Sequence, residues 1–344
     1  MGGDHGPPVV VGGIRDYIRR HGGQDVRFLL HGNEAAIGAE IARLKLDTAI
    51  CEVRHTDKVV AMDEKPAQAM RRGKGSSLWN AVEAVKTGEA QAMVSAGNTG
   101  ALMAISKLVL RMAAPGLERP AIVASWPTLR GVTAVLDVGA NIDCDAEQLL
   151  EFAIMGEAFH AAVHGVEKPT IGLLNVGSEE MKGHEEVREA GRLLRANTLG
   201  LDYRGFVEGD DIAKGTVDVV VTDGFTGNIA LKTAEGTARF ISALLKEALT
   251  SGVQAKLGAL IALPALKTMR SRIDPSAING GPLLGLNGIV VKSHGGATAK
   301  GFGNAIRIAV DLGRSDYTAK VAANLGRLDQ MIQSAATPAP ETVS

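Results

Sequence analysis

Short apolar runs alternate with segments of helical periodicity along most of this 344-residue chain. Parallel strands need long crossovers between them, and strands covered on both faces are almost continuously apolar. The alternation therefore predicts an α/β fold, with a doubly wound and mainly parallel sheet covered by helices. The predicted strands are residues 26–30, 90–94, 121–125, 133–137, 170–176, 217–222 and 288–293, and the predicted helices include 185–195, 301–312 and 317–332.

Length and composition narrow the class of protein. This length favours one large unit or two lobes, so we assign residues 1–333 to a single two-lobed α/β domain and residues 334–344 to a disordered tail. Basic and acidic residues number 37 and 38 and aromatic residues make up 3%, so nucleic acid is not an expected partner. The two cysteines lack the spacing of a metal site, and the sequence shows no signal-peptide pattern. The longest apolar run, Leu257 to Leu266, is too short to span a bilayer. These features predict a soluble cytoplasmic protein that is at most peripheral to a membrane.

Two strand-to-helix turns share one pattern. Residues 222–228 (TDGFTGN) follow one predicted strand and open a helical segment, and residues 95–100 (SAGNTG) follow another. Exposed amides at a helix start, together with the positive end of the helix dipole, suit an anion. A second interpretation is that the glycines only permit a tight turn. The repetition of the pattern favours the anion site.

Polar side chains collect where the predicted strands end. Ligands of open α/β sheets bind at the carboxyl ends of strands, so these loops are expected to form one cleft. Their neutral hydrogen-bonding groups and few cations suit phosphate, and the sequence predicts neither a metal nor a cofactor because it lacks the corresponding fingerprints. The loops contain Asn98, Thr99, Asp137, Asn141, Asp143, Asn175, Lys182, His184, Asp223, Thr226, Asn228, Ser293, His294 and Lys300.

The candidate nucleophiles are few. No nucleophile elbow is present, and neither cysteine lies in a loop that favours reactivity. A solitary histidine is usually structural, but His184 and His294 adjoin glycines in strand-end loops, where exposure is expected. If the chemistry is group transfer, direct attack by a bound oxyanion is therefore favoured over a covalent enzyme intermediate, and positioning and electrostatics would supply the rate.

Six motifs follow one another along the chain. They are MGGDHGP at 1–7, SAGNTGALM at 95–103, LDVGAN at 136–141, the stretch from Asn175 through Gly177, Glu179 and Lys182 to His184, TDGFTGN at 222–228 and SHGG at 293–296. In identity and order they resemble the bacterial phosphate acyltransferase family of phospholipid synthesis, PlsX, over nearly the whole chain. The resemblance implies a fold related to phosphotransacetylases and to the isocitrate and isopropylmalate dehydrogenases, usually as a homodimer.

The resemblance also implies a reaction. Inorganic phosphate would attack the thioester of a fatty acyl group carried on acyl carrier protein, giving acyl phosphate and free carrier protein. A membrane glycerol-3-phosphate acyltransferase would then consume the acyl phosphate, so the expected location is the cytoplasm, peripherally associated with the inner face of the cell membrane. The alternatives are a short-chain phosphotransacetylase that uses coenzyme A and a non-catalytic scaffold that holds carrier protein.

Individual roles follow from the same resemblance. Lys182 and His184 are expected to supply charge or accept a proton, and Asn228 to hold phosphate or the thioester oxygen. These three residues are the expected catalytic set. The expected substrate-binding and phosphate-binding residues are Asp4, His5, Asn98, Thr99, Asn141, Asn175, Asp223, Thr226 and His294.

The start of the sequence departs from the family. Family members normally have a short apolar strand ending in Asp-Ala just before the motif that begins here at Met1. The resemblance therefore implies that a first strand is missing. Its loss would remove one member of the sheet and leave residues 2–7 without their anchor.

The alternating pattern breaks between residues 250 and 280, which are expected to form a protruding helical hairpin. Cations flank an apolar stretch there, and Pro264 is expected to interrupt the helix. One interpretation is a hairpin packed in a dimer interface or on the protein's own core, and the other is a tip that lies on an anionic bilayer. The residues expected to face the membrane are Leu257, Leu260, Ile261 and Leu263.

Overall fold

The structure is a computed structural model that describes residues 1–23, 25–196, 199–272, 274, 276 and 278–336. A small parallel sheet pairs β1 (Phe28–Gly32) with β2 (Cys51–His55). The larger sheet contains β3 (Ala92–Ser95), β4 (Ala121–Pro127), β5 (Val132–Leu136), β6 (Thr170–Leu174), β7 (Asp202–Val207), β8 (Val219–Val221), β9 (Gly281–Leu284) and β10 (Ile289–Lys292). Its spatial order is β3-β10-β9-β4-β5-β8-β6-β7.

Helices connect and cover these strands. They are α1 (Pro7–His21), α2 (Glu34–Leu44), α3 (Pro66–Arg72), α4 (Ser77–Lys86), α5 (Thr99–Leu110), α6 (Ala146–His164), α7 (Glu185–Ala196), α8 (Gly209–Lys214), α9 (Gly224–Thr250), α10 (Val253–Arg272), α11 (Ala299–Arg314) and α12 (Tyr317–Ala336). The predicted α/β class and all seven predicted strands are confirmed. Helix α12 extends to Ala336, and residues 337–344 of the predicted tail lie outside the described residues.

The core lies around α6, which is buried along most of its length. Phe152, Met155 and Phe159 are among its fully buried side chains and pack with strands of the larger sheet. The helix begins at a capping box, because the Asp145 carboxylate accepts the Gln148 amide at 2.8 Å and the Gln148 side chain accepts the Asp145 amide at 3.1 Å. Asp145 is therefore the N-cap of α6.

Strand direction reverses inside the larger sheet. Strand β3 runs parallel to β10, and β5, β8, β6 and β7 run parallel to one another. Between these groups, β9 is antiparallel to both β10 and β4, and β4 is antiparallel to β5. The carboxyl ends of β3 and β10 therefore lie at one edge of the sheet, here called the Lys292 edge. Those of β5, β8 and β6 lie at the opposite edge, the Asp137 edge.

This reversal corrects the prediction of one cleft at a common edge. That prediction assumed that every strand pointed the same way, which a fully parallel sheet would require. The antiparallel strand β9 was not predicted, because its sequence Gly-Pro-Leu-Leu is short and contains proline, which is rare inside sheets.

A cavity of about 110 Å³ separates the two sheets. It is lined by residues 29–31 of β1, residues 93–95 of β3 and residues 9–11 of α1. In the described residues β1 pairs with β2 alone and β3 with β10 alone, so each strand has one unpaired edge. The cavity therefore lies between the unpaired edges of β1 and β3.

Helices α9 and α10 form a long arm that exposes apolar side chains. The predicted hairpin is longer than expected, because α9 begins at Gly224 and turns into α10 after Thr250. The interruption predicted at Pro264 is wrong, since α10 continues through it; proline removes one donor but need not end a helix. No single described helix is long and apolar enough to cross a membrane, although α9 with residues 253–269 passes that test as a pair bent by 118°.

Candidate active site

Three helices begin around the loop of residues 2–6 at the Lys292 edge. Helix α1 starts at the end of this loop, α5 follows β3, and α11 follows β10. The approach is close, because a Cβ atom on Gly3 would lie 3.1 Å from the Cβ of Ala96, and one on Gly295 would lie 3.1 Å from Oδ2 of Asp4. The positive ends of three helix dipoles therefore share one region.

Asn98 fixes the start of α5. Its Oδ1 accepts the Ala101 amide at 3.0 Å as the helix cap, and its Nδ2 donates to the carbonyls of Ala61, Met62 and Glu64 at 3.2, 2.9 and 2.8 Å. The side chain is buried and its hydrogen-bonding groups are used within the protein. The structure therefore gives Asn98 a holding role, and the next residue, Thr99, is exposed at the start of α5.

The turn after β10 is ordered by a residue that the sequence did not single out. Asn279 donates to Ser293 Oγ at 2.8 Å and to the Gly301 carbonyl at 2.9 Å, and its Oδ1 accepts the His294 amide at 3.0 Å. The Gly296 amide donates to Nδ1 of His294 at 3.1 Å. A neutral His294 therefore carries its proton on Nε2, so the exposed side of the ring is a donor.

Asp137 organises the loop at the Asp137 edge. Its buried carboxylate accepts the amides of Ile122, Ala140 and Asn141 at 2.9, 3.0 and 2.6 Å, and Nδ2 of Asn141 at 3.0 Å. Burial raises the pKa of Asp137, and these hydrogen bonds oppose the rise. Asn141 is also fully buried, with Nδ2 donating to the Pro120 carbonyl at 3.0 Å. Both side chains are committed to holding the loop.

The start of α9 already carries a carboxylate. Asp223 accepts the Thr226 amide at 2.7 Å and the Thr226 hydroxyl at 2.8 Å. An anion at this helix start would meet that negative charge, whereas the caps of α5 and α11 are the neutral side chains of Asn98 and Thr298. Asn228 is exposed and lies beside Gly139, where an added Cβ would be 3.5 Å from its Cγ. The caps of α5 and α11 therefore add no charge to these helix starts, and the nearby carboxylate at the Lys292 edge is that of Asp4, next to Gly295.

Asn175, Lys182 and His184 shape a loop at the Asp137 edge. Asn175 donates to the Lys182 carbonyl at 3.0 Å, and Gly183 has a φ of 89°, where any Cβ would lie 2.0 Å from Oδ1 of Asn175. Lys182 pairs with Glu179 at 2.8 Å, and this contact raises the pKa of the Lys182 amine. His184 is exposed.

The predicted site residues thus fall into two groups. Asp4, His5, Asn98, Thr99 and His294 lie at the Lys292 edge, and no hydrogen bond among the described residues joins them to the other group. The second group comprises Asn141, Asn175, Lys182, His184, Asp223, Thr226 and Asn228. Sequence reasoning missed Lys292 and Asn279; a lysine at the end of an otherwise apolar strand, directly before Ser293 and His294, was a usable signal for the first.

Neither cysteine is suited to nucleophilic attack. Burial raises the pKa of Cys144 to about 12 and also raises the pKa of Cys51. The thiolate is the reactive form, and it is disfavoured in both positions. Direct attack by a bound oxyanion remains the expected chemistry.

Residues 1–320 match a protein family described as a fatty acid synthesis protein. The chain is 70% identical over 328 residues to a phosphate acyltransferase from Caulobacter vibrioides, covering 95% of this chain and 90% of that protein. It is 61% identical over 340 residues to a phosphate acyltransferase from Phenylobacterium zucineum, covering 99% and 95%. The chain belongs to this family. The resemblance that the six motifs indicated is confirmed.

Two solved structures have a fold similar to that of this protein. A phosphotransacetylase from Streptococcus pyogenes has a TM-score of 0.60 at 19% identity, covering 88% of this chain and 91% of that one. A 4-hydroxythreonine-4-phosphate dehydrogenase from Salmonella typhimurium has a TM-score of 0.52 at 15% identity, covering 89% and 97%. The predicted relation to phosphotransacetylases and to a dehydrogenase fold is therefore confirmed for the fold.

Proposed function

We propose that the protein is a phosphate acyltransferase that forms acyl phosphate from fatty acyl carrier protein and inorganic phosphate. Two relatives that share at least 61% of their aligned residues with it carry the name phosphate acyltransferase. The observation in the structure that supports this function best is the meeting of three helix starts at the Lys292 edge, with exposed Thr99 and His294 beside them. Such a region holds an anion without a metal.

The chemistry requires no covalent enzyme intermediate. A phosphate oxygen attacks the thioester carbon, the C–S bond breaks, and the thiolate of the carrier protein leaves and takes up a proton. Inorganic phosphate is already an anion at neutral pH, so its attacking oxygen needs no general base. Helix dipoles and the donor on His294 hold the attacking phosphate, and positioning supplies much of the rate.

The roles expected at the Asp137 edge stay predictions. Lys182, His184 and Asn228 are exposed there and face solvent with groups that can bind or carry charge. We propose that phosphate binds at the Lys292 edge, because the Lys182 amine is already paired and the α9 start already bears Asp223.

An assay with and without inorganic phosphate tests the function. We expect acyl phosphate to form from palmitoyl carrier protein only when phosphate is present, measured by trapping with hydroxylamine. Turnover of acetyl coenzyme A in preference to palmitoyl carrier protein would instead identify a short-chain phosphotransacetylase. Binding of carrier protein without phosphate-dependent loss of the thioester would identify a scaffold.

We further propose that the protein is a cytoplasmic homodimer and that its arm contacts the membrane. Apolar side chains remain exposed on α9, where Phe240 is 63% exposed, and on α10, where Ile261 is 84% exposed. Lys256 and Lys267 flank the α10 residues and suit anionic head groups. The product is an amphiphile for a membrane glycerol-3-phosphate acyltransferase, so contact with the inner face of the membrane would shorten its transfer.

Charged substitutions on α10 test the membrane contact. Leu260→Glu with Leu263→Glu is expected to reduce binding to phosphatidylglycerol vesicles at least about tenfold in a sedimentation assay, because each leucine that enters the bilayer contributes about 1.5 kcal/mol or more. Acyl phosphate synthesis in solution should be unchanged. Leu129→Glu, at a residue that is 87% exposed outside the arm, is the matched control and should bind like the parent protein. Equal vesicle binding by the double variant would contradict the proposal.

A further inference from the structure

Lys292 occupies an unusual position for a lysine. It is the last residue of β10, an interior strand in which it pairs with Ser95 of β3 and with Gly281 of β9. The three preceding residues are buried, and Lys292 itself is partly buried. An ammonium group is rarely placed inside a sheet unless a charge or a ligand compensates it.

The protein does not neutralise this charge. Nζ of Lys292 donates a hydrogen bond to the Ser293 carbonyl, and it forms no ion pair among the described residues. The two other lysines in the strand-end loops are both paired, Lys182 with Glu179 at 2.8 Å and Lys300 with Asp274 at 2.6 Å. An ammonium has three donors, so Lys292 retains hydrogen-bonding capacity for a further acceptor.

Two features of the surroundings act on the pKa of Lys292 in opposite directions. Burial lowers the pKa of Lys292 to about 8, and the nearby Asp4 carboxylate opposes this decrease. The amine therefore remains mostly charged at neutral pH, although its environment disfavours the charge. Asp4 is exposed on the loop of residues 2–6, beyond ion-pair distance. A bound anion would stabilise the ammonium more than Asp4 does.

We propose that Lys292 binds the phosphate substrate directly through its ammonium group. The starts of α5 and α11 and the exposed donor of His294 lie at the same edge, so they offer further hydrogen bonds to the same anion. Lys292 keeps its proton throughout; the new bond joins phosphate oxygen to the acyl carbon, and the carrier thiolate leaves. The expected effect of Lys292 on acyl transfer kinetics rests on the proposed acyltransferase function. Its binding of phosphate does not.

Neutral variants of Lys292 distinguish a loss of phosphate binding from a loss of acyltransferase activity. In Lys292→Met the KM for phosphate should rise at least about tenfold, because a hydrogen bond to a charged group is lost, while the KM for acyl carrier protein stays within about twofold. Lys292→Gln keeps a donor to the Ser293 carbonyl without the charge and should show the same defect, which covers the case in which the Met variant does not fold. Lys292→Arg should recover part of the phosphate affinity. Lys214→Met, on the exposed surface of α8, is the control and should behave like the parent protein.

Thermal unfolding with inorganic phosphate gives a readout that does not depend on turnover. Phosphate should raise the Tm of the parent protein and of Lys214→Met, and should not raise that of Lys292→Met or Lys292→Gln. If this difference appears but no acyl phosphate is formed, the proposed function fails and the phosphate site stands. If acyl phosphate is formed and the neutral variants keep the parent KM for phosphate and the parent Tm shift, the assignment of Lys292 is overturned and the function stands.

Discussion

Replacement of Asp137 by alanine is expected to lower the free energy of unfolding by about 4 kcal/mol, because it leaves several buried donors without an acceptor. The Asp137 side chain is fully buried and accepts hydrogen bonds from Ile122, Ala140 and Asn141. Two of these partners belong to the loop after β5, and Ile122 belongs to β4. The carboxylate therefore ties that loop to its neighbouring strand.

The same network supports the start of α9. The Asn141 carbonyl accepts the Gly224 amide at 2.6 Å, and a Cβ on Gly227 would lie 2.0 Å from the Asp137 carbonyl oxygen. Loss of the carboxylate should therefore loosen the turn of residues 222–228 together with the β5 loop. We expect hydrogen exchange at these amides to accelerate in Asp137→Ala even under conditions where the protein remains folded.

Urea unfolding followed by circular dichroism measures the effect. Asp137→Asn preserves the shape of the side chain but turns one acceptor into a donor that faces other donors, so it should also destabilise the protein, by about 2 kcal/mol or more. Asp143→Ala removes an exposed carboxylate six residues away and should stay within about 0.5 kcal/mol of the parent protein. A similar result for Asp137→Ala and Asp143→Ala would show that the network does not hold the loop.

The strands were predictable where burial on both faces produced an uninterrupted apolar run. Strand β8, with the sequence Val-Val-Val, is buried at every position and was found. Strand β2, Cys-Glu-Val-Arg-His, and the edge strand β7, Asp-Tyr-Arg-Gly-Phe-Val, carry charged residues on exposed positions and were missed. Strand direction is a property of pairing between distant segments, and no local pattern records it. For this reason the two edges of the sheet could not be told apart in advance.

The residue types at the site were predictable from the sequence. Whether their side chains are free to bind a ligand was not. The sequence placed Asn98 and Asp223 in turns that open helices, which is confirmed, and the family resemblance assigned both to phosphate binding. The structure shows that Asp223 holds Thr226, three residues away, whereas Asn98 holds carbonyls 34 to 37 residues earlier in the chain. Only the second of these contacts depends on the tertiary fold. A capping interpretation of Asp223 was therefore available from its spacing alone.

Replacement of Asn98 by alanine should affect stability and activity together. The change removes the cap on α5, which contributes about 1 kcal/mol, and it leaves the carbonyls of Ala61, Met62 and Glu64 without their donor. We expect a loss of about 2 kcal/mol in the free energy of unfolding, because the cap is lost together with part-buried hydrogen bonds that water replaces only in part.

The expected activity of Asn98→Ala follows from what the side chain holds. It fastens residues 61–64 across the start of α5, beside the proposed phosphate site, so its loss should displace the exposed Thr99 and the amides of the first turn. Under the proposed function, kcat/KM for acyl phosphate synthesis should fall about a hundredfold, because small misplacements of positioning groups have effects of this size.

Asn33→Ala provides the matched control for this prediction. Asn33 caps α2 in the same way, with Oδ1 accepting the Ala36 amide at 3.0 Å, but its Nδ2 donates to Asp57 on the surface at 2.7 Å. Its replacement should cost about 1 kcal/mol, the loss of a cap, and should leave kcat/KM unchanged. Asn98→Asp keeps the cap but turns a carboxylate toward three carbonyl oxygens, so it should be at least as damaging as alanine. If Asn98→Ala and Asn33→Ala lose equal stability and both retain full activity, Asn98 acts as a cap and nothing more. If Asn98→Ala instead loses more stability and more activity than Asn33→Ala, the hydrogen bonds of Asn98 to residues 61–64 build the site.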